Sequence, residues 1–193
     1  MKWLTGEFGS SHEGMVGVLL DDGVEPGAVW ISTSLSGAGG RETREWWAYN
    51  GAYGCGPRAS YLRGSCSCGW RGDDRYPIDW SAIEDWPRDV DTSGPLEDWD
   101  RHITEIEALV VPLPKDIEEL LEHLEVRLEA LAGESKLASL RAVAAVERIA
   151  KQVGWNAARD VDPHETPWAQ ISKALGLTEK GAQARLMSYK PRR

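Results

Sequence analysis

Apolar residues in the second half of the chain recur at spacings of three and four, the period of helices with one buried side. Leu121, Leu124, Leu128 and Leu131 form such a stripe in residues 115–132, opposite a face made almost wholly of Glu. The stretch predicts an amphipathic helix closed by Gly133. Before it, a helix over about residues 99–110 is predicted to end at Pro112 and Pro114. After it, a helix over about residues 135–155 turns Leu137, Leu140, Val143, Ala144, Val146 and Val153 inward. The short Gly133-Glu134 link makes these two helices antiparallel. A last stripe, Trp168, Ile171 and Leu175, follows Thr166 as N-cap and Pro167 in the first helical position. Gly176 stops that helix, and Thr178 caps another whose apolar side is Ala182, Leu186 and either Met187 or Tyr189.

The first half reads differently. Short apolar runs end in turn signals: residues 15–20 before Asp21-Asp22-Gly23, then 28–32, 45–53 and 60–63. The glycine-rich loop 36–40 lacks the Gly-Lys-Ser/Thr ending of a phosphate-binding loop. Residues 73–96 are acidic and punctuated by Pro, with Trp80 and Trp86 as anchors. The expected class is α+β. A small β-containing, zinc-binding N-terminal domain spans residues 1–111, an acidic amphipathic helix 112–133, and a helical domain 134–193.

Composition changes this picture in two places. Ten Trp stand against one Phe, so bulky aromatics with a polar N–H anchor small units in place of a continuous aliphatic core. Charge is split: residues 133–193 carry a net +5 and the remaining 132 a net −14. Affinity for phosphate backbones comes from clustered cations, so only the C-terminal part suits a polyanion. With no apolar run near the roughly 20 residues of a membrane span and no apolar signal region, a cytoplasmic location is expected. Three cysteines, an odd number, argue against a secreted disulfide framework.

Cys55, Cys66 and Cys68 lie among glycines at 54, 56, 64, 69 and 72 that allow tight turns to bring thiolates to one point. Three thiolates need a fourth ligand to close a structural zinc site. His12, His102, His123 and His164 are available, and His102, early on a helix, is the expected ligand. Trp70 and Trp99 would pack over the ion. Free thiols and a C-x-C redox pair remain as other readings of the same residues. The arrangement C-x10-C-x-C…W-x2-H resembles a zinc-ribbon or knuckle element of actinobacterial proteins.

Residues 166–190, T-P-W-A-Q-I-S-K-A-L-G-L-T-E-K-G-A-Q-A-R-L-M-S-Y-K, resemble the helix-turn-helix of bacterial repressors and activators. The resemblance covers residues 168–189, where Ile171, Leu175, Leu177 and Ala182 match buried positions, Ser172 the small residue at the crossing and Gly176 the turn. Arg185 departs from it, since that position is usually apolar. The resemblance implies that the second helix enters the major groove of double-stranded DNA, with Thr178, Glu179, Lys180, Gln183, Tyr189 and Lys190 outward, Lys180 or Arg185 on guanine or phosphate, and Lys173 and Lys190 near phosphates. An ordinary helical hairpin is the other reading of this pattern.

There is no H-E-x-x-H, G-x-S-x-G or dinucleotide fingerprint, so an enzyme is not expected. The expected function is a DNA-binding transcriptional regulator or DNA-associated accessory protein with a structural zinc ion. An adaptor whose helix-turn-helix binds protein is the alternative. The acidic helices suggest a homodimer or another protein partner.

Overall fold

Alternation in residues 14–19 and 61–66 places one set of side chains on each face of a sheet, and the strand register follows it. The computed structural model describes residues 2–32, 39–52, 54–162 and 164–189. Strands β1 (Lys2–Trp3), β2 (Gly14–Leu19), β5 (Tyr61–Cys66) and β6 (Tyr76–Pro77) form an antiparallel sheet in the order β1-β2-β5-β6. Strands β3 (Val29–Ser32) and β4 (Gly40–Thr43) pair separately. The helices are α1 (Ser93–Glu107), α2 (Lys115–Glu134), α3 (Lys136–Asp160), α4 (Trp168–Ala174) and α5 (Glu179–Tyr189). The class is α+β, and no helix among the described residues is long and apolar enough to cross a membrane.

The chain divides into two units, residues 1–108 and 109–193. In the first, Val16, Val18, Trp46, Ala48, Tyr49, Ala59 and Leu62 form the core. Its tryptophans behave as the composition suggests. Trp80 and Trp86 stack at 4.4 Å, and their ring N–H groups donate to the carbonyls of Ala59 and Trp47. Helix α1 packs on β5 and β2 and starts at Ser93, earlier than its apolar pattern indicates. Pro95 is tolerated in its first turn, where N–H groups have no helical partner.

Two strand glycines let α1 approach. A Cβ on Gly14 would lie 2.5 Å from the Trp99 indole, and one on Gly64 would lie 2.8 Å from the Pro95 carbonyl oxygen. Gly14 pairs with Cys66 and Val16 with Gly64, so Gly14, Gly64 and Cys66 share the face that α1 covers.

In the second unit α2 runs through Gly133 to Glu134, and the break falls at Ser135, whose hydroxyl accepts from the Ala138 N–H at 3.4 Å. Leu137 and Leu140, expected inward, are strongly exposed. The half-buried residues of this part of α3 are Ser139, Ala142, Ala145 and Val146, so the inward face is rotated from the expected one.

Helix α4 begins one residue after Pro167 and is closed by Gly176 at φ 59°. The Leu177 N–H donates to the Ser172 carbonyl at 2.9 Å and the Gly176 N–H to that of Lys173 at 3.1 Å, a Schellman closure. Thr178 caps α5 by accepting from the Gly181 N–H at 3.0 Å. Ile171, Ser172 and Ala182 are buried where α4 and α5 meet, and Tyr189 lies over Gly154 of α3.

Candidate metal centre

His12 ends a 3₁₀ turn, Gly9–His12, just before β2, while Cys66 ends β5. Because Gly14 pairs with Cys66, antiparallel register carries the segment before β2 to the turn after β5. Ser67, between the two cysteines, locks these turns together. Its N–H donates to the Glu13 carbonyl at 2.9 Å, its hydroxyl donates to the Ser10 carbonyl at 3.0 Å, and that hydroxyl accepts from the Glu13 N–H at 2.9 Å.

The turn itself is tight. Gly69, at φ 100°, donates its N–H to the Cys66 carbonyl at 3.0 Å, and the Trp70 N–H reaches the Cys68 sulfur at 3.4 Å. Arg71 braces it from outside, donating from Nη1 to the carbonyls of Cys66 and Trp70 and from Nε to Glu25 at 3.0 Å. Arg63 also donates to Glu25, at 2.7 Å. Partial burial acts to raise the Glu25 carboxyl, but the hydrogen bonds from Arg71 and Arg63 outweigh it and hold the group below its ordinary value.

His102 arrives from α1 on the same face as Trp99. Four ligand atoms, one each from His12, Cys66, Cys68 and His102, then lie within 4.8 Å of one another. Cys66 Sγ is 3.7 Å from His12 Nδ1, and Cys68 Sγ is 3.4 Å from His102 Nε2. His12, Cys66 and His102 are buried and Cys68 is half-buried. Such a cluster can hold a metal ion. Without one the Cys66 and Cys68 thiols hydrogen-bond each other. A hydrogen bond from Cys68, against the opposing effect of burial and with help from His102 and His12, holds the Cys66 thiol below its ordinary value. The same bond, together with burial, pushes Cys68 up. An incoming cation binds thiolates and so would displace the thiol protons.

The structure therefore gathers Cys66, Cys68 and His102 from the expected set and adds His12. Cys55 lies outside the cluster. Its N–H is bonded to the Ala52 carbonyl in a loop that enters β5 at Tyr61. Tyr61 and Cys66 stand at opposite ends of an extended strand, about 16 Å apart at roughly 3.3 Å per residue. The signal for His12 was its place two residues before a strand that pairs with the one ending in Cys66. His123 and His164 are exposed and lie outside the cluster. Trp70 stacks on His102 as expected, whereas Trp99 packs on Gly14 and Trp3.

Of the residues expected to face DNA, Lys173, Thr178, Lys180 and Arg185 are exposed and Gln183 is half-buried. Leu186, next to Arg185, is half-buried and supplies the apolar side there. Lys190 lies outside the described residues. No protein-family model, curated protein or solved structure matches the chain.

Proposed function

We propose that the chain is a DNA-binding protein, a transcriptional regulator or DNA-associated accessory factor of bacterial type. In this reading α4 and α5 act as a helix-turn-helix and the first unit carries a structural zinc ion. One observation supports the DNA reading above others. A seven-residue helix, closed by Gly176, packs through Ile171 and Ser172 against Ala182 of an eleven-residue helix whose Thr178, Lys180 and Arg185 remain exposed.

Helix α5 then enters the major groove. Lys180 and Arg185 contact guanine or phosphate, Gln183 contacts adenine, and Lys173 contacts phosphate. The net −14 of residues 1–132 keeps DNA away from the rest of the chain.

Two thiolates and two imidazoles suit zinc among the common cations. With Zn–S about 2.3 Å and Zn–N about 2.0–2.1 Å, a tetrahedron separates sulfur and nitrogen by about 3.6 Å. The 3.7 and 3.4 Å separations fit that value. Four protein ligands leave no position for water, so the ion is structural.

The test is pull-down of fragmented genomic DNA by the purified chain, followed by titration of enriched fragments against salt. Binding should weaken steeply between about 50 and 200 mM salt through counterion release. Absence of enrichment, with Lys180→Glu and Gln183→Ala both silent, would overturn the reading. The strongly acidic body favours the second reading, an adaptor that binds protein, and capture of a protein partner that survives high salt would support it.

A further inference from the structure

Helices α2 and α3 carry more apolar surface than their own hairpin covers. On α2 the seam is Ile117, Leu121, Leu124, Leu128 and Leu131, at alternating spacings of four and three. On α3 it is Ser139, Ala142, Val146, Ile149 and Val153, at three and four. Only the end nearest Ser135 closes, and among the described residues neither helix has a buried side chain. Farther along, Leu121 stays 52% exposed, Ile149 62% and Val153 60%.

The positions flanking the α3 seam are Ala138, Val143, Ala145, Ala150 and Gln152, none of them charged and all but Gln152 apolar. A two-helix coil carries charges there; small apolar residues mark a helix with neighbours on two sides. Charge identifies the neighbour. Helix α2 has seven acidic and two basic residues, and α3 has five basic and two acidic. A two-fold axis would set the acidic α2 of each chain beside the basic α3 of the other, satisfying both pairings with one surface. The face spans about 30 Å by 20 Å for helices of this length and diameter. Once its corrugation is counted, that is of the order of the roughly 800 Å² per partner of a standard interface.

We propose that the α2–α3 hairpin pairs with that of a second copy of the chain about a two-fold axis, closing a four-helix bundle. The pairing does not rest on DNA binding, and it is tested without DNA, so either reading can fail alone. Light scattering on the full chain should give twice its 21.4 kDa mass. Leu121→Glu and Ile149→Glu should each give the single-chain mass with the 222 nm helical signal retained. Val126→Glu, on the opposite side of α2, should leave the double mass unchanged.

If Leu121→Glu loses its helical signal, Leu121→Gln replaces it. Its dimer dissociation constant should rise at least about tenfold, since one half-exposed leucine is lost from each copy. A single-chain mass for the wild type up to its solubility limit overturns the proposal. So does dissociation by Val126→Glu as readily as by Leu121→Glu, or an unchanged constant for Leu121→Gln.

Discussion

Trp70 lies flat on His102, with ring centroids 4.4 Å apart and planes 8° from parallel. The indole shields the imidazole and fixes its orientation toward Cys68. Groups that hold a ligand without touching the ion commonly change metal affinity by about tenfold to a hundredfold. Trp70→Ser should weaken zinc retention by about that factor in chelator competition, and Trp70→Phe should keep most of it. Equal retention in all three proteins would remove the shielding role.

The ligand set gives a sharper contrast. His12→Ala should lose bound zinc as completely as His102→Ala, while Cys55→Ala keeps about one equivalent by metal analysis. Removing the ion with a chelator should melt residues 1–108, because ion binding and folding of such a site are coupled. A Cys55→Ala protein without metal would restore the thiol that the structure leaves out.

Glu25 supplies a pH signature. Its carboxyl is depressed when folded, so its contribution is present above the unfolded value, near 4.5, and is lost as pH falls through the folded one. The stability difference between wild type and Glu25→Gln should be constant from pH 7 to about 5 and shrink below about 4.5. It should stay under about 1 kcal/mol, since the carboxylate and Arg71 are each about a third exposed. Urea titrations across this range measure it, and a difference that grows on acidification would contradict the sign.

Gly14→Ala tests the seating of α1. The new methyl group would meet the Trp99 indole at 2.5 Å, so the helix must shift. Overpacking of this kind destabilises by about 1–3 kcal/mol. Because α1 brings His102, zinc affinity should fall together with the melting temperature. A stable Gly14→Ala protein with full zinc occupancy would argue against this contact.

Local features were the most legible in the sequence. Gly176 and Thr178 act through bonds to residues three to five positions away, so a short stretch contains all that is needed to place the turn and the cap. The tight turn at Gly69 is local in the same sense, whereas the stack of Trp70 on His102 joins residues far apart in the chain. The role of His12 is not legible because it depends on which strand pairs with which, and that of Cys55 because the length of β5 carries it away from Cys66. The inward face of α3 is hidden in the sequence because Leu137 and Leu140, its most hydrophobic residues near the start, point outward. The hairpin turns smaller residues inward there, Ala142 and Ser139 among them. Size and hydrophobicity alone do not set the phase of a helix whose packing partners are not evident.

Of the four clustered side chains, His12 and His102 stand farthest apart along the chain. An ion gripping both would tie the ends of almost the whole first unit into one ring. Such a cross-link lowers the entropy of the unfolded chain most when the ring is long, as a disulfide spanning a similar length would. It also fixes an order of events. During synthesis the ring cannot close until α1 has been made, so any ion captured earlier by Cys66 and Cys68 would remain exchangeable. Tight retention would then report that the first unit is complete.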